Sequence, residues 1–202
     1  HRVGLLGRVV LEEGRIRGMR DIAYLNIRIA HQVKGCAEGL LPYMYAENML
    51  KNTLVLAPPG QGKTTILRDM VRLVSDGNIK ARGQSVAVVD ERSEIAGCSQ
   101  GVAGYDLGIR TDVLDGCPKT EGILMVVRSM APDVIAVDEI AGEEDQKALR
   151  MAAFSGCQIL ATAHGQEYED LFCRQDIRAL WEEGIFSRCV LLEAQGMPGV
   201  VK

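Results

Sequence analysis

The sequence lacks several features that would have assigned it to a class at once. It has no apolar run near the length of about 18 residues that a membrane-spanning helix needs, and no signal peptide. Any membrane association therefore has to come through a partner. There is no CxxC pair and no His–Cys cluster among its six cysteines (36, 98, 117, 157, 173 and 189), so a zinc site is not expected. It shows no internal repeat, no low-complexity tract and no basic, aromatic-bearing module. A net charge of −4 and a pI of about 5.5 give none of the general positive field that nucleic-acid binders use.

What remains is an ordinary soluble composition, 47% hydrophobic and 25% charged over 202 residues, enough for one α/β domain with a small appendage. The chain begins with His1 rather than Met, and an N-terminal region is expected to precede it. Residues 3–11 and 15–19 flank Glu12-Glu13-Gly14 as a hairpin, and 22–28 alternate as a further strand. Ile29, Val33, Cys36, Ala37 and Leu40 recur at helical spacing, which predicts a helix running up to Pro42. This block, residues 1–50, reads as the remnant of an N-terminal domain and a linker, with the main domain over 51–202.

From residue 51 the rhythm changes. TLVLA (53–57) is a short apolar strand of the kind buried parallel sheets require, SVAVVD (85–90) and DVIAVD (133–138) are further buried strands, and QILATA (158–163) follows them as another. Helices are predicted over 63–75, 119–130, 143–155 and 167–183, with a last strand over 187–194. Strands alternating with helices give a mostly parallel central sheet with right-handed crossovers.

The strand–loop–helix at 57–64 reads APPGQGKT. Ala57 stands where a small residue suffices. Pro58, Pro59, Gly60, Gln61 and Gly62 form the loop, whose two glycines let successive N–H groups face phosphate oxygens. A helix N-terminus adds its dipole. Lys63 is placed for the β- and γ-phosphates of ATP, Thr64 for Mg²⁺ and Thr65 for the α-phosphate. Asp138-Glu139 closes the apolar strand VIAVD: from an adjacent strand Asp138 can hold the metal shell while Glu139 orients or deprotonates a water. Asp90-Glu91-Arg92-Ser93-Glu94 closes another strand, so Glu94 or Glu91 could polarise that water; a solvated acidic loop is the other reading. Thr162-Ala163-His164-Gly165 ends a third, where a neutral His164 can meet a γ-phosphate or the water. Arg110 and Arg128 are candidates for stabilising transition-state charge, a merely structural guanidinium being the alternative for each.

In this order the motifs DERSEI (90–95), PDVIAVDE (132–139) and TAH (162–164) resemble the acidic box, Walker B segment and histidine box of the RecA-like secretion ATPases. These serve type II and type IV secretion and pilus motors. More narrowly, VVDERSEIAG, RTDVLDGCPK, RSMAPDVIAVDEI and ILATAHG resemble the stage III sporulation AA family of endospore-forming bacteria, as does the opening HRVGLLGRVVLEEGRIRG. The resemblance implies a RecA-like P-loop core and a cytoplasmic, hexameric ATPase motor. It would work beside membrane proteins of a channel between mother cell and forespore. Two departures stand out: Asp138 replaces the glycine usual before the glutamate, and Ala141 the arginine shortly after it. The alternative function is a nucleic-acid-associated P-loop ATPase.

Overall fold

The structure, a computed structural model, describes residues 2–28 and 31–193, and the chain divides into two compact units, residues 1–31 and 32–202. The first is a hairpin of β1 (Arg2–Glu12) and β2 (Arg15–Arg28). Its turn residues Glu13 and Gly14 both have positive φ, 50° and 75°, the geometry whose twist matches that of the flanking strands. The two extended segments expected at 15–19 and 22–28 are one strand. It is bent at Asp21 (φ 50°), where the register slips and a Cβ on Gly7 would lie 2.6 Å from the Arg20 carbonyl oxygen.

The second unit starts earlier than the boundary at 50 read from the sequence. Ala37, Leu40, Leu41, Met44, Tyr45 and Leu50 are buried in the same apolar cluster as Ile66, Met70 and Val74 of the first long helix. The expected helix up to Pro42 does not form among the described residues, and Ile29 lies outside them. Gly35 takes φ 84°, which ends any helix there, and the chain resumes as a 3-10 turn at Glu38–Leu40 and a short helix, α1 (Leu41–Met44). Pro42 sits in that helix's first turn, where its missing N–H costs no hydrogen bond. A two-residue ladder, β3 (Tyr45–Ala46) with β4 (Met49–Leu50), follows.

The six-stranded sheet is parallel throughout. Its strands are β5 (Thr53–Ala57), β6 (Val86–Asp90), β7 (Thr111–Asp115), β8 (Val134–Val137), β9 (Gln158–His164) and β10 (Arg188–Leu191), in the spatial order β10-β5-β9-β8-β6-β7. Side chains alternate between its faces. Val55 and Ala57 point with α2 (Lys63–Asp76) into one apolar cluster. Leu54 and Leu56 point into the other, formed with α3 (Lys119–Met130), α4 (Gly142–Phe154) and α6 (Gln175–Glu182). With both faces covered, the central strands β5, β6, β8 and β9 are largely apolar, and most of their polar side chains lie at or near the ends. The single helix expected over 167–183 is two, α5 (Asp170–Cys173) and α6, because Arg174 between them is extended (φ −96°, ψ 110°).

Candidate active site

The carboxyl ends of β5, β9, β8 and β6 bring together the phosphate loop, His164, Asp138-Glu139 and the acidic loop after Asp90. One positional expectation is corrected: β8 is not beside the phosphate-loop strand. β9 lies between them, so Asp138 reaches the loop across the end of a strand that carries Thr162 and His164.

The loop itself is built as its glycines require. Gly60 and Gly62 take φ 80° and 87°, and a Cβ at Gly60 would meet nothing within 4 Å, so the loop is open on that side. No side chain caps α2, and the first bond into it runs from Ile66 N–H to Gly62 O at 2.9 Å. The N–H groups of Lys63, Thr64 and Thr65 thus have no helical acceptor, which fits the loop to an anion. Pro58 O accepts from Gln61 N–H at 3.4 Å, and the half-buried Thr65 completes the first turn.

Lys63 is 5% exposed. Its ammonium donates to Ala57 O at 3.0 Å and Pro58 O at 3.1 Å, and lies 3.1 Å from His164 Nδ1. Burial pushes its pKa down, opposed by the charges of Asp138 and Glu139. An ammonium has only donors, so Nδ1 of His164 is the acceptor in this contact and Nε2 carries the ring proton. That nitrogen faces Glu139 Oε1 at 3.0 Å.

Thr64 Oγ1 donates to Asp138 Oδ2 at 2.5 Å, and the other carboxylate oxygen accepts from Thr162 Oγ1 and from Glu139 N–H. A hydroxyl and a carboxylate in contact are the hard oxygen donors that Mg²⁺ takes in phosphate-loop sites, so Thr64 and Asp138 fit that ion. Glu139 itself has φ 52°, rare for a residue with a Cβ. Its carboxylate lies between His164 and Arg92 Nη1, the latter 2.7 Å away.

The acidic loop is clamped from both sides. Asp90, 2% exposed, accepts the N–H groups of Glu94 and Ala96 at 2.9 and 2.8 Å. From α2 the buried Arg68 donates to the carbonyls of Ile95 and Glu94, both at 2.6 Å, and stacks on Tyr105 with its guanidinium 4.1 Å from the ring centre. Burial lowers the Arg68 pKa. Between the ends of β6 and β8 a void of ≈ 20 Å³ is lined by Asp90, Glu91, Glu94, Lys119, Asp138 and Glu139, room for a water or so.

Arg110 and Arg128 are not brought to this site within their own chain. Arg110 precedes β7 at the opposite edge of the sheet and donates to Ser75 O at 3.0 Å. Arg128 is exposed in the last turn of α3, which runs away from the site. The arginines that do stand here, Arg92 and Arg174, were not singled out from the sequence. Arg174 donates to His164 O at 3.1 Å and Ile140 O at 3.3 Å. Thr162 and Lys119 were likewise missed, although Arg92 and Thr162 lie inside motifs already marked as strand ends.

A parallel sheet wound on both faces, with a phosphate loop and carboxylates on its carboxyl edge, is the RecA-like fold of secretion ATPases. The chain superposes on the pilus retraction motor PilT with bound ADP at a TM-score of 0.59 and 17% identity, over 94% of this chain and 57% of that one. It superposes on the VirB11 ATPase of the Brucella suis type IV secretion system at 0.53 and 16%, over 77% and 47%. The family model for sporulation stage III, protein AA matches residues 1–202, and the chain belongs to that family. It is 50% identical over 201 residues to stage III sporulation protein AA of Bacillus subtilis (strain 168), covering all of this chain but only 65% of that protein's length. No helix among the described residues is long and apolar enough to cross a membrane.

Proposed function

We propose that this chain binds and hydrolyses Mg²⁺–ATP as the motor subunit of a secretion-like transport complex in sporulation. The observation that carries the reading is the line of contacts from Lys63 through His164 to Glu139, beside the Thr64–Asp138 contact at 2.5 Å. The free N–H groups of the first turn of α2 and the Lys63 ammonium bind the β- and γ-phosphates. Thr64 and Asp138 hold Mg²⁺, which when bound neutralises charge on the phosphate oxygens. Glu139, with Glu94 across the small void, orients the attacking water and takes its proton as ADP and phosphate separate. His164, its Nδ1 already turned to Lys63, stands where the γ-phosphate is read.

Membership of the sporulation family and the secretion-ATPase fold support a hexamer with sites between subunits. They also support docking of the cytoplasmic motor on membrane proteins of a mother cell–forespore channel. The decisive variant is Glu139→Gln in the full-length protein. Hydrolysis should fall by roughly 10²–10⁴-fold while ATP binding persists, as expected for loss of a general base. Lys63→Ala should lose binding instead. Hydrolysis by Glu139→Gln at the parent rate would sink the assignment.

A further inference from the structure

The buried ammonium of Lys119 takes no part in these steps, yet it touches their central residue. Lys119 opens α3 at 7% exposure and donates to Glu139 O at 2.7 Å and to Asp145 Oδ2 at 3.1 Å, with Glu91 Oε2 at 3.9 Å. Asp145, 8% exposed, also accepts from Ala141 N–H at 2.9 Å and Thr120 Oγ1 at 3.4 Å. Burying an ammonium is costly unless it is paired and hydrogen-bonded, and this one is. What the pair grips is the backbone at Glu139, whose positive φ a residue with a Cβ keeps only when its surroundings hold it. The N–H of Glu139 is fixed by Thr162 Oγ1 at 2.9 Å, and its carbonyl by Lys119. The turn is therefore held at both ends, and its side chain leaves toward Arg92 and His164 at the mouth of the water-sized void.

We propose that Lys119 and Asp145 are a positioning pair that keeps this left-handed turn and so aims the Glu139 carboxylate at the attacking water. The inference rests on the reading of Glu139 given above. In the full-length protein, Lys119→Met is expected to lower kcat by roughly 10- to 100-fold with KM for Mg²⁺–ATP unchanged, the cost of misplacing a reacting group by about an ångström. Lys119→Arg should recover part of the loss. In a Glu139→Gln background, Lys119→Met should cost nothing more, because its effect passes through that carboxylate. A kcat for Lys119→Met within about two-fold of the parent, or a loss that multiplies in full with that of Glu139→Gln, overturns the proposal. Should the single variant fail to fold, Lys119→Met with Asp145→Leu removes both buried charges together. A folded double variant with parent kcat overturns the proposal, and one with low kcat and unchanged KM supports it. Glu139→Gln separates the two ideas. If it hydrolyses ATP normally, the catalytic reading fails; if it is inactive while Lys119→Met is normal, only the positioning role fails.

Discussion

Replacing Asp90 by alanine removes a carboxylate that holds a whole loop from beneath. It is 2% exposed and accepts two backbone N–H groups at 2.9 and 2.8 Å, one of them from the fully buried Ala96. Hydrogen bonds to a charged group contribute about 1.5–3 kcal/mol each, and of the donors left behind the buried Ala96 N–H is shut off from water. The buried Arg68 guanidinium also loses a nearby negative charge that favours its ionised form. A loss of about 3–5 kcal/mol follows, a third or more of the stability of many domains. In urea unfolding followed by circular dichroism, the midpoint should fall by about 2 M at an ordinary slope of about 2 kcal/mol/M. Asp90→Asn keeps one acceptor oxygen and should lie between the two. In folded protein at low temperature, Asp90→Ala should also slow hydrolysis, because Glu94 no longer faces the void, while nucleotide affinity is retained. A stability change below about 1 kcal/mol would refute the idea that the Asp90 carboxylate, rather than the sheet beneath it, organises the loop.

Two other perturbations test the surroundings. A Cβ at Gly122 on α3 would lie 2.5 Å from Val89 Cγ1 and 3.3 Å from Leu114 Cδ2, and a β-branched neighbour cannot swing aside. Overpacking of about 1–3 kcal/mol, offset in part by alanine's better helix propensity, should lower Tm for Gly122→Ala by a few degrees; an unchanged or raised Tm in calorimetry would contradict it. Burial pushes the Cys189 thiol up to about 12 and, with the Asp69 carboxylate adding, Cys36 up to about 11. Both are thus protonated at pH 8, where the thiolate is the reactive form. Iodoacetamide should modify the exposed Cys173 first, and peptide mass spectrometry showing Cys36 labelled as fast would overturn this.

The parts legible in the sequence are those that depend on one element at a time. The apolar runs of β5, β6, β8 and β9 announce buried parallel strands because both faces of such a strand are covered. The two glycines before Lys63 likewise announce their own loop. β7 is hidden because it is an edge strand: Thr111, Asp112 and Asp115 break its apolar run, so the segment stands out only through Arg110 and the family motif RTDVLDGCPK. The periodicity over 29–40 misleads because Gly35 interrupts it: of the residues it marks, Ala37 and Leu40 are buried in the main unit and Cys36 packs against them, while Val33 is exposed. Lys119 and Arg174 have no local signature, since each matters only through partners on other elements, and Arg92 is marked only by the acidic strand end around it. Arg110 and Arg128 show the converse: the right chemical type, placed by the topology at the far edge.

The place of β9 between the phosphate-loop strand and the acidic strand has a mechanical meaning. The strand that supplies neither the phosphate cradle nor the acid is the one through which each learns the other's condition. Its terminal imidazole touches Lys63 with one nitrogen and Glu139 with the other, so a single side chain is in contact with both. Arg174 grips the backbone carbonyl of that same histidine from the junction of α5 and α6. On the function proposed above, this gives any change at the bound phosphates a short route through His164 and Arg174 to α5 and α6.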